Sequence, residues 1–188
     1  MLRFDAPEAD MNYLEIIDRH YQDNPDLRSL LIRHSEDVAR KAISIARRHA
    51  ELDIDRKFVL EAAMLHDIGI FKTNATDIHC FGPEPYLCHG IIGAELLRSE
   101  GLLRHALVCE RHTGAGLTKK EILVQRLPLP SADFLPVSIE EQLICFADCF
   151  FSKKKPEKEK PVEAIRRKMK KFGRRSLKQF DAWCEMFL

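Results

Sequence analysis

Four histidines and two aspartates of this chain stand on stripes that are otherwise apolar. His66 follows Val59, Ala62 and Ala63 at helical spacing, and His112 follows Val108 and Cys109. His89 precedes Ile92, Gly93, Leu96 and Leu97, and Asp148 lies between Ile144 and Phe151. His34 extends the stripe of Leu27, Leu30 and Leu31 toward Val38. Asp67 lies about 100° round a helix from His66, on the side of Leu60 and Ala63, so it too points partly inward. One inward histidine is usually a hydrogen-bonded core residue. Six such groups on five segments need another reason, because a lone buried carboxylate is costly unless a cation or a specific partner faces it. Imidazole and carboxylate without thiolate suit Fe, Mn, Zn, Ni, Co or Mg rather than a structural cysteine-type zinc site. The adjacent His66-Asp67 pair lets His66 bind one ion while the Asp67 oxygens bridge to a second, the arrangement of a two-metal hydrolase with metal-activated water.

The elements that must carry these residues read as helices. The first is expected to be capped by Asp10 and to carry Leu14, Ile17 and Tyr21, with an Asn24-Pro25-Asp26 turn ending it. Helical spacing runs from Leu27 through Ile45, and the sequence leaves open whether Ser35 starts a new helix there. Further helices are expected over Arg56–Ile70 behind an Asp55 cap, His89–Glu100 with Gly101 as its stop, Leu103–His112, and Ser138–Phe151. Thr118 and Glu121 form a capping-box pattern, and Leu127–Pro136 reads as a surface loop. A Lys-rich linker, Lys153–Lys160, precedes a last helix over Val162–Phe187. In that helix Val162, Ile165, Met169, Phe172, Leu177 and Phe180 can dock while Arg166, Arg167, Lys170 and Lys171 face water. No strand alternation is evident. The expected fold is all-α: a helical domain over residues 1–152, with its core in 27–152, and a basic segment, 153–188, packed on the same domain.

Composition fits a single cored domain. The 188 residues are 45% apolar and 31% charged, with a formal charge of +1. That balance names no polyanionic partner, but it is uneven. Basic residues far outnumber acidic ones between Ser152 and Lys178, so the remainder is net acidic. No apolar run follows the first residues or approaches the roughly 18 residues of a spanning helix, so a cytoplasmic chain with no membrane partner is expected. The six cysteines form no Cys-x-x-Cys pair and read as reduced thiols.

Leu65-His66-Asp67-Ile68-Gly69 resembles the signature of the HD superfamily of metal-dependent phosphohydrolases in its HDIG variant. His34, His66-Asp67, His89, His112 and Asp148 follow in the order expected of that family, over about residues 27 to 152. The resemblance implies an all-helical fold and one or two divalent ions. His34, His66, Asp67 and Asp148 would hold the first metal, and His89 and His112, with Asp67 as bridge, the second. Arg111 stands where the related HD-GYP phosphodiesterases carry a histidine, and no Gly-Tyr-Pro motif is present, which argues against a cyclic dinucleotide substrate.

Such chemistry needs cationic clamps for the non-reacting phosphates. Lys72, past the end of the His66 helix, and Arg111, beside His112, are the expected catalytic and substrate-binding cations with Asp67. His79 and Arg126 are further candidate substrate contacts. His105 is expected to be a core or rim residue, and His20 and His49 to be idle. The expected activity is cleavage of a phosphate ester or anhydride of a small, nucleotide-like substrate. Two alternatives stand beside it: a catalytically silent domain that senses a nucleotide, and a nucleic-acid adaptor working through the basic C-terminus. The last is disfavoured because no aromatic residues interleave its charges.

Overall fold

The computed structural model describes residues 11–154 and 158–188; Asp10 lies outside them. The fold is all-α apart from one small sheet, and no helix among the described residues is long and apolar enough to cross a membrane. Helix α1, Tyr13–Tyr21, is capped by Asn12, whose side chain accepts from the Glu15 N–H. Asn24, expected to end that helix, instead begins the next. Its Oδ1 accepts from the Leu27 N–H at 3.0 Å, and Pro25, which has no N–H to lose, takes the first turn of α2, Pro25–Arg48. This one 24-residue helix runs through Ser35 without a break.

Helix α3, Arg56–Leu65, starts at the Asp55 cap and stops short of the expected Ile70. His66 and Asp67 form its exit, and Ile68–Lys72 continue as a 3-10 turn. Between this turn and α4, His89–Ser99, lies the sheet that alternation did not announce. Its strands β1, Thr73–Ala75, β2, Cys80–Phe81, and β3, Glu84–Pro85, are too short to show a period. They lie in the order β2-β1-β3, with β1 antiparallel to β2 and parallel to β3. Helix α5, Leu103–Arg111, follows the positive-φ Gly101. Helices α6, Lys119–Gln125, and α7, Ile139–Asp148, both open on complete capping boxes, Thr118 with Glu121 and Ser138 with Glu141.

The C-terminal segment folds as two helices rather than one: α8, Val162–Phe172, and α9, Arg174–Phe187. Gly173 sits at φ 122°, a left-handed value that breaks the helix and lets α9 turn back on the domain. Phe180, Trp183 and Phe187 then close around Phe146, with ring centroids 5.5, 6.4 and 5.4 Å away. Trp183 Nε1 donates to Gln142 Oε1 at 3.0 Å. Because the break redirects the chain, Phe172 is exposed instead of docked.

Two apolar clusters divide the interior. One joins the C-terminal half of α2 to α3, α7, α8 and α9; the other joins α1 and the N-terminal part of α2 to the 3-10 turn, α4 and α5. His34 falls on α2 between Leu31 of the second cluster and Val38 of the first, so the polar site lies on the seam between them. Glycines draw the backbone together there. A Cβ on Gly69 would lie 2.2 Å from the His89 carbonyl oxygen, and one on Gly93 would lie 2.4 Å from Cys109 Sγ. Gly69→Ala is therefore expected to force the 3-10 turn away from α4. Denaturant unfolding should register a loss of about 1–3 kcal/mol, and metal titration a weaker affinity, since His89 is displaced with its carbonyl.

Candidate metal centre

Each of the six inward residues sits at or near the end of an element or on a buried helix face, and all six meet at one point. His34 comes from mid-α2, His66 and Asp67 from the α3 exit, His89 from the first residue of α4, His112 from just past α5, and Asp148 from the last residue of α7. His66 and Asp67 have no solvent exposure. The two Asp67 oxygens divide the others into two groups. Oδ2 lies 3.1 Å from His34 Nε2 and 2.9 Å from His66 Nε2, while Oδ1 lies 3.3 Å from His89 Nε2 and 3.5 Å from His112 Nε2. Asp148 Oδ1 completes the first group, 3.0 Å from His34 Nε2 and 3.7 Å from His66 Nε2.

The histidine tautomers follow from the second nitrogen. Nδ1 of His66, His89 and His112 donates to the carbonyl oxygens of Ala63, Tyr86 and Cys109, at 2.7, 2.6 and 2.7 Å. Each of these donors is thereby committed, so Nε2 is the nitrogen each ring turns inward, and it offers a lone pair whenever the ring is neutral. His89 Nε2 and His112 Nε2 stand 3.0 Å apart, two acceptors facing each other. His34 Nε2, His66 Nε2 and both Asp67 oxygens are buried without a partner at hydrogen-bond geometry. Orphaned acceptors crowded this closely fit a divalent cation, which would take one ligand atom from each. The donors form two overlapping sets, His34, His66, Asp67 and Asp148, then Asp67, His89 and His112.

Thiols brace this arrangement from behind. Cys109 Sγ donates to the His66 carbonyl at 2.9 Å, and Cys145 Sγ to the His112 carbonyl at 3.2 Å. Burial pushes both thiols well above their ordinary pKa, so they stay protonated and do not compete as thiolate ligands.

The two expected clamps and the two further candidate substrate contacts lie elsewhere. Lys72 is exposed, with Nζ 5.7 Å from the centroid of Phe71. Arg111 is turned aside by Glu141 at 3.0 Å and Glu110 at 3.4 Å. His79 and Arg126 are exposed residues at positive φ, the first at the end of a 3-10 turn and the second ending α6. None of the four lines the cavity over the His/Asp cluster. His105 packs against Phe58 and faces Glu61, remote from the cluster, as expected of a rim residue. The cation at the cluster is Lys153. Its largely buried Nζ presses on Asp67 Oδ2 and lies 6.0 Å from the centroid of Tyr86, whose ring stacks on His89. Read as the first residue of a linker, Lys153 gave no periodic signal; its spacing of five from Asp148 carries it just past the helix end and back over the site.

Electrostatics follow from this packing. Burial would raise the Asp67 pKa, but Lys153 and His66 hold the carboxyl well below the usual carboxylate range. Burial opposes protonation of His66, yet Asp67 and Asp148 outweigh it and bring its pKa up to about 10. His89 goes the other way: burial, partly offset by Asp67, pushes it down to about 4.

A helical bundle that converges two overlapping sets of buried imidazoles and carboxylates is equipped to bind divalent metal. The sequence profile of the HD domain family matches residues 31–153, and the chain belongs to that family. It is 40% identical over 120 residues to a tRNA (cytidine(56)-2'-O)-methyltransferase of Picrophilus torridus, a stretch covering 63% of this chain and 30% of that protein. A protein of the same name from Thermoplasma volcanium is 33% identical over 123 residues, 65% of this chain and 32% of its own. An uncharacterized protein of Methanocaldococcus jannaschii is 33% identical over 131 residues, 69% of this chain and 70% of that one. The chain thus spans about a third of the two methyltransferases. No solved structure matches it significantly.

Because His66 is protonated below about pH 10 and His89 is already neutral at pH 7, cation uptake must displace a proton from His66 and none from His89. Calorimetric titration with Mn²⁺ in buffers of different ionisation enthalpy should show proton release at pH 7. Affinity should rise by about tenfold per pH unit between pH 7 and 9. A pH-independent affinity would contradict this charge assignment.

Proposed function

We propose that this protein is a metal-dependent phosphohydrolase acting on a small phosphorylated substrate of nucleotide type. The observation carrying the reading is the Asp67 carboxylate, one oxygen facing each set of ligands. In this reading His34, His66, Asp67 and Asp148 would hold one divalent ion, and Asp67, His89 and His112 would hold a second. Such ions, when bound, supply Lewis acidity to phosphoryl oxygens and activate water as nucleophile. The chain's own residues bind and orient. Lys153 neutralises the phosphoryl group entering beside Asp67, the part first expected of Lys72 and Arg111. Tyr86 fixes His89 from both sides, through its carbonyl and its stacked ring. The cavity above, about 600 Å³, is of nucleotide size and has Ile78, Phe151 and Met169 as apolar walls.

The tRNA methyltransferase name belongs to relatives of which about a third is shared, and the shared stretch is about as long as the HD match. The cavity over the His/Asp donors is lined by four lysines. Hydrolysis of an anionic ester suits that lining.

The test is purified protein reconstituted with Mn²⁺, Fe²⁺, Zn²⁺, Ni²⁺, Co²⁺ or Mg²⁺ and assayed against p-nitrophenyl phosphate, nucleotides and dinucleoside polyphosphates for released phosphate. Turnover is expected with at least one metal. Asp67→Ala should lose bound metal and fall to background. Lys153→Gln should raise KM by roughly tenfold with a smaller change in kcat, the loss of one charge-assisted contact. Absence of turnover with every metal, or normal turnover in Asp67→Ala, overturns the reading.

A further inference from the structure

The wall of the cavity over the cluster includes residues beyond the HD match. It contains Lys160, from the segment before α8, and Lys168, on α8, in addition to Lys153 and Lys154. Two of these four ammonium groups are already matched by carboxylates: Lys153 lies on Asp67, and Lys154 on Asp77. Lys160 and Lys168 have no carboxylate partner among the described residues. Lys160 is half-buried and held in place by the carbonyl oxygens of Cys149 and Phe151, which are neutral. Lys168 stands at the rim, 5.5 Å from the centroid of Phe172.

Two ammonium groups in the wall of one cavity, neither in an ion pair with a carboxylate of the described residues, describe a place for an anion beside the one at the cluster. We propose that Lys160 and Lys168 form a second anion subsite, and that the preferred substrate is a nucleotide carrying at least two phosphoryl groups. One of these groups would lie at the cluster beside Lys153 and the other against Lys160 and Lys168, with the apolar wall between them taking the nucleoside. This rests on the phosphohydrolase reading for the cluster end alone; the lysine subsite is a binding property with its own readout. The shared chemistry is a second phosphate, carried either in a diphosphate chain or at a separate ribose position.

Calorimetric binding to the Mn²⁺-loaded protein of AMP, ADP and adenosine 3',5'-bisphosphate tests it. The wild-type chain should bind one of the two-phosphate ligands about tenfold more tightly than AMP, and which one it prefers identifies the spacing. Lys168→Glu, an exposed substitution on α8, should bring that preference to within about twofold, and Lys168→Arg should retain it. The preference should also shrink with added salt. Equal affinity for AMP and both two-phosphate ligands, or a preference that survives Lys168→Glu, overturns the proposal. Preferential binding with no hydrolysis of any ester would sustain the subsite while sinking the hydrolase reading.

Discussion

One charged group sets the terms for the rest of this molecule: the Asp67 carboxylate, fully enclosed and faced by four imidazoles and an ammonium group. Such a carboxylate is stable in a protein interior only when positive charge surrounds it at short range. Meeting that demand brings five helices or their ends to one point, and the apolar core is split into two clusters to leave room. The glycines at 69 and 93 and the thiols of Cys109 and Cys145 serve the same requirement. The former let the backbones approach, and the latter occupy the carbonyls of His66 and His112 while staying protonated.

Charge is therefore layered across the site. The acidic floor suits cations, the lysines above suit anions, and Lys153 touches both. The position of Lys153 at the limit of the family match places this change of sign where the HD domain gives way to the chain's own C-terminal helices. The basic segment is accordingly not only a solvated face: four of its lysines line the cavity, while most of the other basic residues remain on the outside of α8 and α9.

Much of this was legible in the sequence because it rests on period. Helical spacing placed His34, His66, His89, His112 and Asp148 inward, and the cap residues Asp55, Thr118 and Ser138 marked true helix starts. The signals that failed were those without period. Asn24 and Pro25 serve equally as a turn and as a helix start, and only packing decides between them. Strands of two or three residues cannot alternate. Gly173 within a basic amphipathic run looks like a tolerated helix glycine until the rings of α9 require a reversal. Lys72 and Arg111 lie off the cavity wall for a related reason. They are near His66 and His112 along the chain, but a 3-10 turn and two glutamates carry them away, whereas Lys153 arrives from the other side of the fold.

The ring cluster beneath α9 links the tail to the ligand set mechanically. Phe146 is gripped by Phe180, Trp183 and Phe187, and Asp148 follows it by two residues at the end of the same helix. The last fourteen-residue helix therefore helps seat the helix on which that carboxylate is mounted. The far end of the chain thus rests on the same helix that carries the acid facing His34.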